Sequence, residues 1–208
     1  MMALQLAAGV LWTLAYALII RRAALDRVPG MPMTAMCINI AWETYYSLVS
    51  PHPPPQLYVD WAWLALDVVI VAQFLRYGRA EHEPALPRWT FLPLLGFTLA
   101  MAFLGVAAAE HDLHDRDGMY SAFGDDMLMS LLFLRMLFRR GDVRGQSLYI
   151  ALAKLVGSAC VCVVGYHEQP ERQLLCVFYA GLLVFDVTYA VLLARRSRQL
   201  GLNPWRRV

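Results

Sequence analysis

The chain has 208 residues, of which 59% are hydrophobic and 16% charged, and its formal net charge at pH 7 is +2. So apolar a composition excludes an ordinary soluble domain, and the apolar residues come in runs of about twenty, the length that crosses the ~30 Å hydrocarbon core of a bilayer. We therefore expect residues 1–208 to form a single domain surrounded by a lipid bilayer, with no nucleic-acid partner.

Seven apolar segments follow one another along the chain and predict seven transmembrane helices. No basic region precedes the first segment, which favours a retained helix over a cleaved signal peptide. The segments cover about 4–20, 31–50, 60–77, 90–109, 119–138, 148–165 and 173–194.

The connections between these segments alternate in charge. Arginines cluster after the first, third, fifth and seventh segments, whereas the loops 51–59, 110–118 and 166–172 contain only Arg116 and Arg172. Because positively charged loops stay on the cytoplasmic side, we expect the N-terminus outside and the C-terminus in the cytoplasm. The predicted fold class is thus all-α: a polytopic membrane protein with a seven-transmembrane-helix bundle.

Several segments contain polar residues that are costly in lipid. An ionised, unpaired carboxylate at mid-bilayer costs about 2.5–3.5 kcal/mol or more, so each one is a candidate functional group. Asn39 and Glu43 are four residues apart on one face of the second segment, where the amide can hydrogen-bond the carboxyl. At a rise of about 1.5 Å per residue, Glu43, Asp67 and the adjacent pair Asp125 and Asp126 lie about 10 Å below the outer surface and Asp186 about 20 Å. We expect a cavity that opens outward or laterally and is ringed by carboxyls.

A structural role is the alternative for several of these residues. Because Asp125 and Asp126 are adjacent, we do not expect both to face one cavity. Asp67 has the alternative of accepting a hydrogen bond from a tyrosine or tryptophan. Arg135 and Lys154 lie towards the cytoplasmic half, where we expect them to snorkel or to pair with each other.

The outer loop 110–118 is rich in histidine and acidic residues. Its ligand types are crowded on a short turn, and their spacing matches no structural zinc pattern. We therefore expect a solvated acidic loop and no metal site.

The segment CINIAWE, residues 37–43, resembles the N-x-x-W-E signature of the integral-membrane terpene cyclases of fungal meroterpenoid and indole-diterpene pathways, a family with bacterial members. The resemblance covers the second to the seventh segment in the right order, and the run 140–150 is its most specific piece. The other similar stretches are 64–78, 120–157 and 185–193.

This resemblance implies a seven-helix cyclase that needs no metal, no cofactor and no ionisation of a diphosphate. It also implies two essential acids, which map onto Glu43 and Asp186. The chain lacks the D-D-x-x-D motif of diphosphate-ionising synthases and the D-x-D-D motif of soluble protonating cyclases, in agreement with this reading. The implied partners are a hydrophobic prenylated small molecule and possible pathway enzymes, a prenyltransferase and an epoxidase. The implied location is a bacterial plasma membrane or the endoplasmic reticulum.

The expected reaction is protonation of a terminal epoxide or alkene on a farnesyl-type chain carried by an aromatic or indole group, followed by ring closure and loss of a proton. Burial and a like-charged neighbour both favour the protonated form of a carboxyl. We expect Glu43, oriented by Asn39, to be the acid or its direct support, and Asp186 to share the proton; the two roles are interchangeable at this point. Aromatic walls stabilise carbocations through cation–π contacts. The candidate substrate-binding residues are Asn39, Trp42, Tyr46, Asp67, Phe123, Asp126, Tyr179 and Tyr189.

Two other functions fit a small membrane protein with interior acids. A proton-coupled transporter also uses membrane carboxylates, but the chain shows no internal repeat and no paired helices broken by glycine or proline. A non-catalytic scaffold that presents a prenylated substrate to pathway enzymes is the third reading, in which the interior acids have no function.

Overall fold

The computed structural model describes residues 1–81 and 86–208, and this part of the chain contains helices and loops but no strand. Each of the seven predicted segments coincides with one α-helix. The helices are α1 (Met2–Asp26), α2 (Met33–Thr44), α3 (Gln56–Tyr77), α4 (Phe91–Leu113), α5 (Met119–Arg140), α6 (Leu148–Glu168) and α7 (Gln173–Gln199).

Proline, glycine and serine mark where these helices begin and end. Pro32 and Pro55 directly precede α2 and α3, where the missing N–H of proline costs no helical hydrogen bond. The Ser147 side chain accepts a hydrogen bond from the Ile150 N–H and caps α6. Gly141 ends α5 with a φ of 63°, a conformation that glycine adopts without steric cost. The segment boundaries therefore follow from local sequence.

Within residues 1–81 and 86–208, five helices are long and apolar enough to cross a membrane: α1, α3, α4, α6 and α7. The second helix, α2, has 12 residues and continues into a π-helix at Tyr45–Val49. The fifth helix, α5, carries Asp125, Asp126 and Arg135 in its interior. Length and composition thus support five of the seven predicted crossings. Of these three charged residues of α5, packing buries Asp125, whereas Asp126 is half-buried and Arg135 is exposed.

The helices pack so that α2 is surrounded by α3, α4 and α5, while α1 lies against α6 and α3, and α7 against α5 and α6. The largest hydrophobic core lies in the half of the bundle away from the C-terminal ends of α2 and α6. Its fully buried members include Met36, Met129, Phe133, Ile150 and Leu193. This core fixes the positions of the helix ends that surround the candidate site.

The arginine-rich connections meet at one end of the bundle. Arg140, at the end of α5, donates hydrogen bonds to Glu81 and, at 2.8 Å, to the carbonyl oxygen of Pro29. In the C-terminal tail, Arg207 donates to the Asp26 carboxylate at 2.9 Å. The ends of α1, α3, α5 and the tail are therefore neighbours, as the charge alternation predicts, and the sparsely basic loops lie at the opposite end.

Candidate active site

A cavity of about 870 Å³ opens at the end of the bundle opposite the arginines. Its wall is built from the first turns of α1, α3 and α5 and the last turns of α2 and α6. The volume falls within the range of about 300–1,000 Å³ typical of small-molecule sites. Most of the wall is apolar, with a few polar side chains that could orient a ligand or take part in chemistry.

Aromatic rings form a large part of this wall. Tyr16 stacks on Trp63 with ring centroids 6.3 Å apart and an angle of 17° between the planes. Trp42 is held by hydrogen bonds from its indole N–H to Ser121 Oγ at 3.1 Å and the Gly118 carbonyl at 3.4 Å. The negative faces of such rings attract a cation. The aromatic residues of the wall are Trp12, Tyr16, Trp42, Tyr58, Trp63 and Phe123.

Glu43 lies near the end of α2 on the cavity wall and is only 3% exposed. Its Oε2 atom is buried and accepts no hydrogen bond from any described residue. The carboxyls of Asp67, Asp125 and Asp60 are close enough to interact with it electrostatically. Glu43 therefore has a buried carboxyl oxygen that no described protein group satisfies, on a residue of the cavity wall.

Asn39 also lines the cavity, but its partners differ from the prediction. Its amide nitrogen donates to Asp67 Oδ2 at 2.6 Å and to the Tyr16 hydroxyl at 2.5 Å. The predicted hydrogen bond from this amide to Glu43 is wrong, because the amide nitrogen donates to acceptors on α3 and α1. Asp67 is buried behind the wall and takes its hydrogen bond from Asn39, where the sequence suggested a tyrosine or tryptophan.

Asp125 and Asp126 both line the cavity, which corrects the expectation that adjacent residues would not share it. Neighbouring residues in an α-helix are separated by about 100° around the helix axis. Since both residues line the cavity, the cavity faces more than this angle of the α5 surface. Asp125 Oδ1 is buried without a hydrogen-bond partner among the described residues. Asp126 interacts electrostatically with Lys154 and Asp186.

Asp186 is 1% exposed and is not part of the cavity wall. Both of its oxygens accept hydrogen bonds from Lys154 Nζ, at 3.0 and 3.1 Å. Lys154 also donates to Ser130 Oγ at 2.6 Å and lies 5.3 Å from the centre of the Trp12 ring. The expectation that Lys154 snorkels or pairs with Arg135 is wrong, since helix packing places Asp186 directly opposite the ammonium.

All three predicted substrate-binding tyrosines, Tyr46, Tyr179 and Tyr189, lie behind the cavity wall. The Tyr46 hydroxyl donates to the Asp115 carbonyl at 2.9 Å, and the Tyr189 hydroxyl donates to Gln146 Oε1 at 3.1 Å. The Tyr179 ring packs against Phe123 with centroids 4.5 Å apart. Each of these tyrosines contacts neighbouring protein groups and not the cavity. Of the predicted binding set, the residues that lie on the wall with Glu43 are Asn39, Trp42, Phe123 and Asp126.

The loop 110–118 is not simply a solvated acidic loop. Asp115 is buried and accepts hydrogen bonds from the N–H groups of Tyr120 and Ser121, at 3.0 and 2.9 Å, which caps α5. Glu110 accepts hydrogen bonds from Tyr45 and Ser50 and so joins α4 to the π-helix. Among residues 1–81 and 86–208, no group of three or more histidine, cysteine or acidic side chains is placed to hold a metal ion.

The cavity wall also contains His52, which was not among the predicted site residues. His52 follows the π-helix, and its Nδ1 lies at hydrogen-bond distance, 2.8 Å, from Asp60 Oδ2. Gln56 Nε2 donates to the other oxygen of Asp60 at 2.7 Å. A signal was present in the spacing of Gln56 and Asp60, four residues apart at the start of α3, but the position of His52 depends on the loop.

Comparison with known proteins gives a consistent result. A family model described as Pyr4-like transmembrane terpene cyclases matches residues 1–199. The Pyr4-family terpene cyclase mfmH of Annulohypoxylon moriforme is 28% identical over 198 residues, which cover 89% of this chain and 79% of that protein. Terpene cyclase dpmaB of Metarhizium anisopliae is 28% identical, with coverage of 91% and 83%. Asnovolin H synthase nvfL of Aspergillus novofumigatus is 25% identical, with coverage of 94% and 86%. No solved structure matches the chain.

Proposed function

The chain belongs to the Pyr4-like transmembrane terpene cyclases, and we propose that it cyclises the prenyl chain of a hydrophobic substrate after proton transfer from Glu43. The observation that carries this proposal is the Glu43 carboxyl, which is buried on the wall of a largely apolar cavity with Oε2 free of hydrogen bonds from the described residues. Membership of a cyclase family favours an enzyme over a transporter or a scaffold.

The proposed substrate is an aromatic or indole compound that bears a farnesyl-type chain. Glu43 transfers its proton to the oxygen of a terminal epoxide, or to the terminal carbon of the last alkene. The electron-deficient carbon is then attacked by the next double bond, and successive attacks close fused rings. Loss of a proton from carbon gives a neutral product, so the whole reaction is an isomerisation of the prenyl chain.

The aromatic wall supports this reaction in two ways. The rings of Trp12, Tyr16, Trp42 and Trp63 present electron-rich faces to positive charge that moves along the chain. Their apolar surface also limits the water that would otherwise capture a carbocation. Neither contribution requires a metal or a cofactor, and we propose that the cyclisation uses none.

We propose that Asp186 is the second acid required for full activity and that it acts through Lys154. Its two hydrogen bonds hold the ammonium near the Trp12 ring of the wall, and Asp126 lies within electrostatic reach of the same ammonium. Asp186 is thus a positioning residue in this proposal, and Glu43 alone donates the proton to the substrate.

We propose seven membrane crossings with the N-terminus outside and the C-terminus in the cytoplasm. The cluster of arginines at one end of the bundle supports this orientation. The cavity then lies in the outer half of the bilayer, where exposed Leu6, Val10 and Tyr58 line its edge and offer an apolar route from lipid. The host membrane would be a bacterial plasma membrane or the endoplasmic reticulum.

The proposal is tested by giving membranes that contain the protein a farnesyl-bearing aromatic compound, or its terminal epoxide, in the presence of a chelator. Mass spectrometry then detects cyclised product. The variant Glu43→Gln should reduce turnover by about 10²–10⁴-fold, the usual contribution of a general acid. Its protein level should remain unchanged, because Oε2 makes no hydrogen bond to the described residues.

The matched control is Glu171→Gln, which makes the same chemical change at an exposed loop position. It should leave turnover unaltered. Wild-type turnover in Glu43→Gln contradicts the role of Glu43 as proton donor. A requirement for Mg²⁺ contradicts the metal-free reaction.

A further inference from the structure

His52 carries a nitrogen that the fold leaves without a partner. It lies on the cavity wall, is almost completely buried, and its Nε2 atom accepts or donates no hydrogen bond within the described part of the chain. The ring stacks on Tyr46 with centroids 4.7 Å apart and planes 3° from parallel, which fixes its orientation. A buried, oriented and unpartnered ring nitrogen beside a substrate cavity is available for proton transfer.

The partner on the other side of the ring determines what that nitrogen can do. Asp60 is completely buried, and its carboxylate accepts from His52 Nδ1 at 2.8 Å and from Gln56 Nε2 at 2.7 Å. An ionised carboxylate only accepts hydrogen bonds, so Nδ1 carries the hydrogen in this pair. In the neutral tautomer that this pairing favours, the lone pair of the ring lies on Nε2.

We propose that His52 is the base that accepts the proton at the end of the cyclisation, and that Asp60 is its positioning residue. The inference rests on the proposed function, because it assigns the last step of that reaction. In this step a C–H bond next to the final carbocation breaks, and its electron pair forms the new carbon–carbon double bond. The proton moves to Nε2, and the imidazolium that forms is stabilised by the carboxylate of Asp60.

The proton balance closes within the cavity. Glu43 has lost one proton to the substrate and His52 has gained one, so transfer from His52 to Glu43, through water that enters when the product leaves, restores both groups. No oxidant, reductant or other co-reactant is needed. The Trp42 ring, next to Glu43 in sequence, lies 5.7 Å from the His52 ring. Glu43 and His52 both line this cavity. The proton donor and the proton acceptor are thus separate groups, as a cascade that begins and ends at different carbons requires.

The test uses the full-length protein in membranes and the variant His52→Asn. The asparagine amide reaches the position of Nδ1 and can still donate to Asp60, while Nε2 is removed. Formation of the wild-type product should fall by about 10²-fold or more, as expected for loss of a general base. Substrate should still be consumed, because Glu43 is intact, and should appear as alkene regioisomers or as alcohols formed by water capture.

The control is His111→Asn. His111 Nδ1 lies 2.8 Å from Asp112 Oδ1, the same pairing at the same distance, but the side chains are 89% and 74% exposed. Its rate and product distribution should equal those of the wild type. Product distribution per folded protein separates a catalytic from a structural role, because a purely structural loss lowers the amount of protein without changing which alkene forms.

Two outcomes distinguish failure of this inference from failure of the proposed function. If the wild type makes cyclised product and folded His52→Asn makes the same product at the same rate, His52 is not the base, while the proposed function stands. If the wild type makes no cyclised product, the proposed function itself fails. Where His52→Asn does not accumulate, Asp60→Asn decides: an unchanged product distribution in that variant overturns the inference, and a shift towards other alkenes or alcohols supports it.

Discussion

Asp186 and Lys154 form a buried ion pair whose replacement separates a role in the reaction from a role in the fold. Nζ lies 3.0 and 3.1 Å from the two carboxylate oxygens, and the residues are 1% and 3% exposed. Among the described residues, the ammonium in Asp186→Asn keeps Ser130 Oγ, the Trp12 ring and the asparagine carbonyl as partners. The substitution therefore leaves a buried positive charge without the carboxylate that is hydrogen-bonded to it, while Asp126 acts on it only through space.

The magnitude follows from this environment. Removal of one partner from a buried ion pair costs about 3–5 kcal/mol. The asparagine carbonyl still accepts one hydrogen bond from Lys154, so we expect the lower end, about 3 kcal/mol, or roughly a 100-fold lower ratio of folded to unfolded protein. The double variant Asp186→Leu/Lys154→Met replaces both charges by apolar groups of similar size. Such replacements are often neutral or stabilising, so its stability should return to that of the wild type.

The assay measures thermal unfolding of the solubilised protein and cyclised product per folded molecule. Asp142→Asn is the control, because its pair with Arg144 at 2.7 Å is partly exposed and should contribute at most about 1 kcal/mol. Wild-type stability in Asp186→Asn refutes the reasoning about the ion pair. A stable double variant with full activity refutes the proposed contribution of Asp186 to the reaction, whereas a stable and inactive one supports it.

Two further substitutions test how the cavity wall is held. Gly118→Ala should destabilise the fold by about 1–2 kcal/mol and alter the product distribution, since its φ is 64° and a Cβ would lie 2.9 Å from the Trp42 and Tyr46 rings. Gly105→Ala, where a Cβ meets nothing within 4 Å, is the control in the same melting and product assays. Asn39→Ala removes the donor to Tyr16 and Asp67, and should lower the unfolding free energy by about 1–3 kcal/mol. An unchanged melting temperature in Asn39→Ala contradicts that account.

The sequence by itself determined where the helices lie and which polar residues are candidate functional groups. Apolar runs matched to bilayer thickness, with proline and glycine between them, are local features, so all seven helices could be located without knowledge of their packing. The alternation of arginines predicted which helix ends are neighbours. The W-E motif indicated the family, which the family model confirms. A carboxyl in an apolar run has few structural explanations, so the sequence also made Glu43 a candidate functional group.

Only the tertiary structure decided which polar groups meet. The periodicity of a single helix states which residues share a face, but not which face of another helix lies opposite, since that depends on how the whole core packs. Asn39 therefore bonds Asp67 and Tyr16 in place of its own neighbour Glu43, and Lys154 meets Asp186. His52 and Asp60 come together because the π-helix and the loop after it return the chain to α3. Short polar contacts between helices arise from packing that no single segment encodes.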